Sequence, residues 1–390
     1  MSGISKLKEE FMAGKKDKLR VGVIGPGGAG SGRTAEFVSR DDVEVVAAAD
    51  TREEAFDRLE GRLKEHVEGY KPGKIKRYVG EYEFTQMIEK EDPDIVGVFS
   101  PHSLHDVHVK YAMRNGAHAI VEKPMANFVG DTIAMHKIAL GSVRHLLIHY
   151  QRHFSSLYIT GRKVIREGLI GDITNFEVFL AQRWGAGGWR GDPRFSGGGQ
   201  PNDSGSHLQD IFLWMTGLLP QNVFGNTSMD FQDDSGNVIK KSVEIDSHST
   251  VNMGNGAKGK IDILGNTKIG FDEWVILTGT EGTLSIKGGK LLFKAKGKRK
   301  EEEIPLSRPE GYPRSNIDNL VGLIKGDYKV NYVSGINGIR TSLLTNSIIL
   351  CGKGPKEKNA VSCDRILENE GYSIDYVKTL IAEAETNNMF

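Results

Sequence analysis

The chain has 390 residues with 51 basic and 51 acidic side chains, a balance that excludes binding to a polyanion through bulk charge. Its length suits two domains, each able to bury a core. Two cysteines, Cys351 and Cys363, argue against a disulfide framework and fit a reducing compartment, and no apolar run reaches the length of a membrane span. Residues 1–18 are polar, lack the apolar core of a signal peptide and read as an arm ahead of the first strand. The expectation is a cytoplasmic protein with neither a nucleic-acid nor a membrane partner. The basic run 294–300 is followed at once by Glu301, Glu302 and Glu303, which reads as a solvated hairpin or loop.

Residues 21–30, V-G-V-I-G-P-G-G-A-G, read as a strand that ends in a glycine turn and opens a helix. Gly25, Gly27 and Gly30 fit G-x-G-x-x-G: the first allows the turn, the second lets backbone approach a pyrophosphate, and the third lets helix and strand pack closely. Pro26, Gly28 and Ala29 complete that loop, and the helix expected over 29–38 would present its N-terminal N–H groups to a phosphate. The strand V-E-V-V-A-A-A-D then ends in Asp50, twenty positions after Gly30. A carboxylate there accepts both ribose hydroxyls and repels a 2'-phosphate, which favours NAD. Arg52, two residues on beyond Thr51, could pair with a 2'-phosphate, so NADP stays open.

A charged amphipathic helix is expected over 52–67, and the Gly- and Lys-rich stretch 68–77 reads as a surface loop. D-I-V-G-V-F-S, 94–100, is the next buried strand, and ligands of open parallel sheets sit at such carboxyl ends. Ser100, Pro101, His102 and His105 are therefore placed beside the cofactor. His102, His105 and His108 recur every third position, but a helix turns the outer two away from one face, so a helix start reads better than a metal site. The strand 117–122 runs into Glu122-Lys123-Pro124, where a cis proline bond would turn the lysine into a cleft; an ordinary surface lysine before a turn is the alternative.

From about Asp172 the pattern becomes strand-rich, with alternation that implies a largely antiparallel sheet and a second domain. One helix interrupts it within S-G-G-G-Q-P-N-D-S-G-S-H-L-Q-D-I-F-L-W-M-T-G, 196–217. Asp203 is placed to cap or open this helix, and Asp203, His207 and Asp210 fall on one helical face. Such a set can serve acid–base chemistry, a capping network or a metal. Tyr150, Arg152 and His153, at the domain join, and Trp184, Trp189 and Arg190, in the loop R-W-G-A-G-G-W-R-G-D-P-R, are candidate substrate contacts; tryptophans that cover the sheet are the alternative. The division expected is an arm at 1–18, a cofactor domain at 19–150, a substrate domain at 151–360 and a helical extension at 361–390. That last helix either packs at a subunit boundary or forms a tail.

Taken in order and spacing, V-G-V-I-G-P-G-G-A-G, A-A-A-D, E-K-P-M-A and S-G-G-G-Q-P-N-D-S-G-S-H-L-Q-D resemble the glucose-fructose oxidoreductase / inositol dehydrogenase / rhizopine-catabolism (Gfo/Idh/MocA) family over roughly residues 19–355. The resemblance implies a fold of class α/β plus α+β: an N-terminal Rossmann dinucleotide-binding domain followed by a large, mostly antiparallel open sheet. It implies that Lys123, Asp203 and His207 form the catalytic set, with no metal, and that a late helix packs back after about Gly335. The activity expected is hydride transfer between NAD and a secondary alcohol of a sugar, inositol or related polyol, in a homo-oligomer built through the sheet. An NAD-dependent glycosidase and a catalytically silent sugar sensor are the rivals. Pro101-His102-Ser103 stands where many members have Pro-Asn, a departure at the expected cofactor contact.

Overall fold

The computed structural model describes residues 18–352 and 360–386. The arm expected at 1–18 lies, but for Lys18, outside them. No described helix is long and apolar enough to cross a membrane. The chain divides into two compact units, one of residues up to 100 with 111–119, the other of 101–110 with 120 onward.

The first unit is built on β1 (Leu19–Ile24), β2 (Val43–Asp50), β3 (Lys76–Val79) and β4 (Ile95–Val98), paired in the order β3-β2-β1-β4, all parallel. Val21, Val23 and the alanines 47–49 are buried, as strands covered on both faces require. Helices α1 (Gly28–Val38), α2 (Glu54–His66) and α3 (Glu83–Glu91) connect them. The surface loop expected over 68–77 ends differently: from Lys76 the chain forms β3, an edge strand with an exposed, charged sequence and no alternation to betray it. It is fastened by Glu91, whose carboxylate accepts from Lys76 Nζ at 2.9 Å and from the Tyr78 hydroxyl at 2.7 Å.

Helix α4 (His105–Arg114) and strand β5 (His118–Val121) cross between the units, and α5 (Val129–Ser142), β6 (Leu146–Ile148) and α6 (Ser156–Arg166) follow. The second unit then forms a nine-stranded sheet. Its strands are β7 (Ile173–Ala181), β8 (Pro220–Ser228), β11 (Asp246–Met253), β12 (Lys258–Leu264), β13 (Asp272–Gly279), β14 (Gly282–Lys287), β15 (Lys290–Ala295), β16 (Glu302–Glu303) and β17 (Ala360–Ser362). They lie in the order β16-β15-β14-β13-β7-β12-β11-β8-β17, antiparallel except between β7 and β12. After β8 the chain leaves the sheet at Met229, and β9 (Asp230–Gln232) pairs with β10 (Val238–Lys240) as a separate hairpin.

Helices α7 (Gly205–Thr216), α8 (Asn316–Lys325) and α9 (Gly335–Gly352) follow, and α6, α7 and α9 share the core of the sheet. Phe176, Val178, Ile261, Val275 and Leu277 of the sheet share a core with Leu208, Phe212 and Leu343 of α7 and α9. Arg340 of α9 donates to the carbonyls of Leu213 and Leu218 at 2.8 and 2.6 Å, closing the C-terminal end of α7. The opposite sheet face carries Glu177, Phe179, His248, Lys260, Trp274 and Ile276, exposed or half-buried, with Phe179 and Trp274 stacked at 5.1 Å. The extension packs within its own chain: α10 (Cys363–Asn369) and α11 (Ile374–Thr386) add Cys363, Leu367, Val377 and Leu380 to the same core.

Candidate functional site

In the first unit, Gly25 has a φ of +79°, and a Cβ there would lie 2.7 Å from the backbone of Phe99. Only glycine tolerates both demands. A Cβ on Gly30 would lie 2.1 Å from the carbonyl oxygen of Gly25, so the start of α1 can press against the turn only because that residue is glycine. Among the described residues nothing lies within 4 Å of a Cβ on Gly28, and no side chain caps α1. The loop Gly25-Pro26-Gly27-Gly28-Ala29-Gly30 thus leaves the helix N-terminus open to a phosphate, the arrangement a dinucleotide needs. Asp50 ends β2 and accepts from the Arg52 backbone N–H at 3.0 Å across Thr51. Burial pushes its carboxyl up, and the Arg52 backbone N–H and then its charge oppose that shift. The residues fit NAD: an acidic group stands where a ribose diol would be read.

The second unit holds the polar cluster. Lys123 follows β5 and precedes a cis bond to Pro124. Its Nζ donates to Asp203 Oδ1 at 2.8 Å and to the Asp203 carbonyl at 3.0 Å. The other carboxylate oxygen accepts from Trp184 Nε1 at 2.9 Å and meets Arg190 Nε at 3.0 Å. Burial pushes the Asp203 carboxyl up, but Lys123, Arg190 and His102 outweigh it and hold it well below the usual carboxylate range. The loop that carries Asp203 is set by Gly199, where a Cβ would fall 1.7 Å from the Glu244 carbonyl oxygen. Glu244 fastens it further, its Oε2 accepting from the Gly199 N–H at 2.9 Å and its carbonyl from the Gln200 N–H at 2.8 Å.

Asp203 does not cap α7. Ser204 precedes the helix in helical conformation with no side-chain cap, and Asp203 turns instead to Lys123, Trp184 and Arg190. His207 lies in the first turn of α7, and its Nδ1 is buried without a hydrogen-bond partner among the described residues, so Asp203 does not fix its tautomer. Burial first, then the charges of Lys123 and Arg152, holds His207 far below the ordinary imidazole range. Asp210 leaves the set altogether: its Oδ2 lies 2.7 Å from His153 Nε2, while His153 Nδ1 lies 2.8 Å from the Tyr332 carbonyl. Tyr150 stands edge-on to His207 at 6.4 Å and stacks with His153 at 6.2 Å.

His102 is buried, with Nδ1 3.0 Å from the Ser196 carbonyl, and burial, then His105 and Lys123, lowers its pKa to about 3. His105 Nδ1 meets the Pro124 carbonyl at 2.8 Å, which anchors the turn after Lys123. Ser100 and Glu122 are buried, and Glu122 Oε2 accepts from the Lys123 backbone N–H at 3.2 Å. Pro101 leads into the short turn of His102–Leu104. Trp189 packs edge-on against His102 at 4.7 Å, and the Arg190 guanidinium lies over Trp189 at 4.5 Å. Arg152 is engaged by Glu273, whose other oxygen accepts from the Tyr158 hydroxyl at 3.1 Å. Glu273 is the member that residue patterning did not single out, and it carried no signal. Trp184, expected with its loop as a substrate contact, turns its N–H to Asp203. Among the described residues no group of three His, Cys, Asp or Glu side chains is placed to hold a metal.

A model of the oxidoreductase family with an NAD-binding Rossmann fold matches residues 19–146, and a model of the GFO/IDH/MocA C-terminal domain matches residues 158–285. The chain belongs to the Gfo/Idh/MocA family. Its N-terminal region is an NAD-binding Rossmann domain. Among curated relatives, "Glycosyl hydrolase family 109 protein 2" of Akkermansia muciniphila is 26% identical over 192 residues, 46% of this chain and 39% of that one. The chain thus matches about two-fifths of that relative's length. Among solved structures, the aldose-aldose oxidoreductase of Caulobacter crescentus, complexed with glycerol, has a TM-score of 0.70 at 21% identity, covering 88% of this chain and 99% of that one. The WlbA dehydrogenase of Bordetella pertussis, complexed with NADH and UDP-GlcNAcA, has a TM-score of 0.68 at 20% identity, covering 85% and 95%. At these identities the likeness is one of fold, shared by a Gfo/Idh/MocA chain across both of its domains.

Proposed function

We propose that this Gfo/Idh/MocA protein moves a hydride reversibly between NAD and a secondary alcohol carbon of a sugar, cyclitol or related polyol. The observation that carries the reading is the 2.8 Å contact of Lys123 Nζ with an ionised Asp203, beside a histidine kept neutral by burial. When bound, NAD supplies the hydride acceptor or donor. Lys123 binds the reacting oxygen and stabilises the negative charge that develops on it as its proton leaves, an effect that is strong in a dry site. His207, in its accepting form over the working pH range, takes that proton. Asp203 keeps the ammonium charged and aimed, and Trp184 and Arg190 keep Asp203 in place. The glycine loop, with Asp50, holds the cofactor's pyrophosphate and ribose. Arg152, Trp189 and Arg190 are the candidate contacts to the rest of the polyol, and self-association through the free sheet face remains part of this reading.

The test is a panel of sugars, inositols and sugar acids incubated with NAD and NADP, followed by the near-ultraviolet absorbance of the reduced cofactor. Reduction with one polyol class supports the proposal; none across the panel, with NAD bound, favours a silent sensor. The relatives named as glycosyl hydrolase family 109 motivate a second reading, an NAD-dependent glycosidase that oxidises its sugar transiently. Release of sugar from a glycoside with no net NADH would select it.

A further inference from the structure

Three arginines stand in the segment between the end of β7 and the start of α7, and two of them have a carboxylate each. Arg183 pairs with Asp234 at 2.7 Å, and Arg194 pairs with Asp192, its Nε 3.0 and 3.1 Å from the two oxygens. Arg190 has no such partner to itself. Its Nε meets Asp203 Oδ2 at 3.0 Å, but the same carboxylate takes the Lys123 ammonium on Oδ1 at 2.8 Å, so two cations share one negative charge. The Trp184 N–H also donates to Oδ2, at 2.9 Å, so the oxygen nearest Arg190 is itself divided. Arg152, whose charge acts on His207, is matched by Glu273. Glu122 turns an oxygen to the Lys123 backbone N–H at 3.2 Å, and no ion pair joins it to the ammonium or to Arg190.

The guanidinium is positioned and still accessible. It lies over the Trp189 ring at 4.5 Å, and Trp189 is braced edge-on by the buried His102 at 4.7 Å. The Arg190 side chain nevertheless stays 39% exposed, and its Nη1 and Nη2 donate to no described residue. A guanidinium carries its N–H donors in a fork that matches the two oxygens of a carboxylate. Because the ring and the Nε contact order that fork before a ligand arrives, little rotamer freedom is lost on binding. One unshared positive charge matches a monoanion, whereas a phosphate monoester brings nearly two negative charges. Lys123 and Arg190 stand at the two oxygens of one carboxylate, so one small molecule can give its reacting hydroxyl to the ammonium and an acid group to the guanidinium.

We propose that Arg190 binds a carboxylate on the substrate, so that the polyol taken by this site is a sugar acid, uronic or aldonic. This rests on the hydride-transfer reading and narrows it to one substrate class: a hydride leaves the carbinol carbon for NAD, the hydroxyl proton goes to His207, and the substrate carboxylate is unchanged. The test measures kcat/KM of the full chain with NAD for matched pairs, glucuronate with glucose, galacturonate with galactose and gluconate with glucitol, and for glucose 6-phosphate. At least one acid exceeds its neutral partner by about tenfold or more, the effect of one charge-assisted contact. Arg190→Gln cuts that ratio at least about tenfold. Arg190→Lys, which keeps the charge and loses the fork, restores part of it, and Arg194→Gln leaves it unchanged. Circular dichroism checks each fold, and if Arg190→Gln does not fold, Arg190→Lys carries the test by a smaller fall in the same ratio. A neutral partner or glucose 6-phosphate used as well as the acids overturns the proposal and leaves the hydride reading standing, as does a ratio that survives Arg190→Gln. If nothing in the panel turns over, isothermal calorimetry with NADH bound decides. Saturable binding of an acid that Arg190→Gln weakens at least about tenfold keeps the carboxylate site without the reaction; no binding of any acid, or binding indifferent to Arg190→Gln, overturns it.

Discussion

Lys123 and Asp203, eighty residues apart in the chain, meet twice: the ammonium donates to both the carboxylate and the backbone carbonyl of the same residue. The double contact fixes the direction of the ammonium as well as its charge. Replacing Lys123 by Met keeps the length of the side chain and removes the charge, so turnover on the polyol found by the panel is expected to fall about 10²- to 10³-fold. His207→Ala is expected to cost about 10²- to 10⁴-fold. Both should leave NADH binding, read by fluorescence titration, near that of the parent. Unchanged turnover in either variant would remove that residue from the mechanism.

Trp184 offers a finer test, because Phe keeps the ring and deletes only the N–H that reaches Asp203 at 2.9 Å. A hydrogen bond to an ionised partner contributes about 1.5–3 kcal/mol, so Trp184→Phe should lower kcat by about tenfold to a hundredfold. KM should move less if Trp184 acts by positioning Asp203. A change confined to KM would instead make it a direct substrate contact.

Much of this was readable in the residues. The glycine loop, Asp50, Lys123, Asp203 and His207 sit in local patterns whose chemistry is tied to their spacing, and the structure brings Lys123 and Asp203 into contact. The partnership expected of Asp203 with His207 and Asp210 does not form, because helical-face geometry applies only inside a helix and Asp203 lies before α7. Asp210 is in the helix, but its partner His153 lies 57 residues earlier, and no periodicity reports a contact of that kind. Strand β3 escaped because an exposed edge needs no apolar alternation. The last helix was visible as an amphipathic period, yet a period shows that a face is buried without naming what buries it.

Cofactor choice rests on Asp50. Its carboxylate, held by the Arg52 backbone N–H, opposes a 2'-phosphate, so kcat/KM with NAD should exceed that with NADP by at least about tenfold. Asp50→Ala should shrink the ratio by about the same factor. A preference for NADP in the unmodified protein would shift the reading to Arg52.

Acid should destabilise the fold in a defined window. Burial holds His102 at about 3 and both His108 and His136 at about 4, with His207 also far below its ordinary value. In the unfolded chain each titrates near 6.5, so below that pH the unfolded state binds protons that the folded state does not. Stability from these groups is full above about pH 6.5 and falls as pH drops toward 4, by up to about 1.4 kcal/mol per pH unit per histidine. Urea midpoints at pH 7, 6 and 5 should decline accordingly. His136→Asn, which removes a histidine outside the polar cluster, should flatten the decline by about one proton; an unaltered slope would show that His136 is not neutral when folded.

The C-terminal extension gives a last test, because burial and periodicity assign it different weights. Leu367 is fully buried on α10, its carbonyl accepts from the Tyr372 N–H at 2.8 Å, and it belongs to the same core as Phe176 and Phe212. Deleting three carbons there leaves a cavity between the extension and the sheet, and Leu367→Ala should cost about 2–5 kcal/mol in urea unfolding. Lys123 and Asp203 lie in other segments, so turnover measured without urea should stay within about twofold. A cost near zero would mean that the extension, with Cys363, Val377 and Leu380, unfolds independently of the sheet.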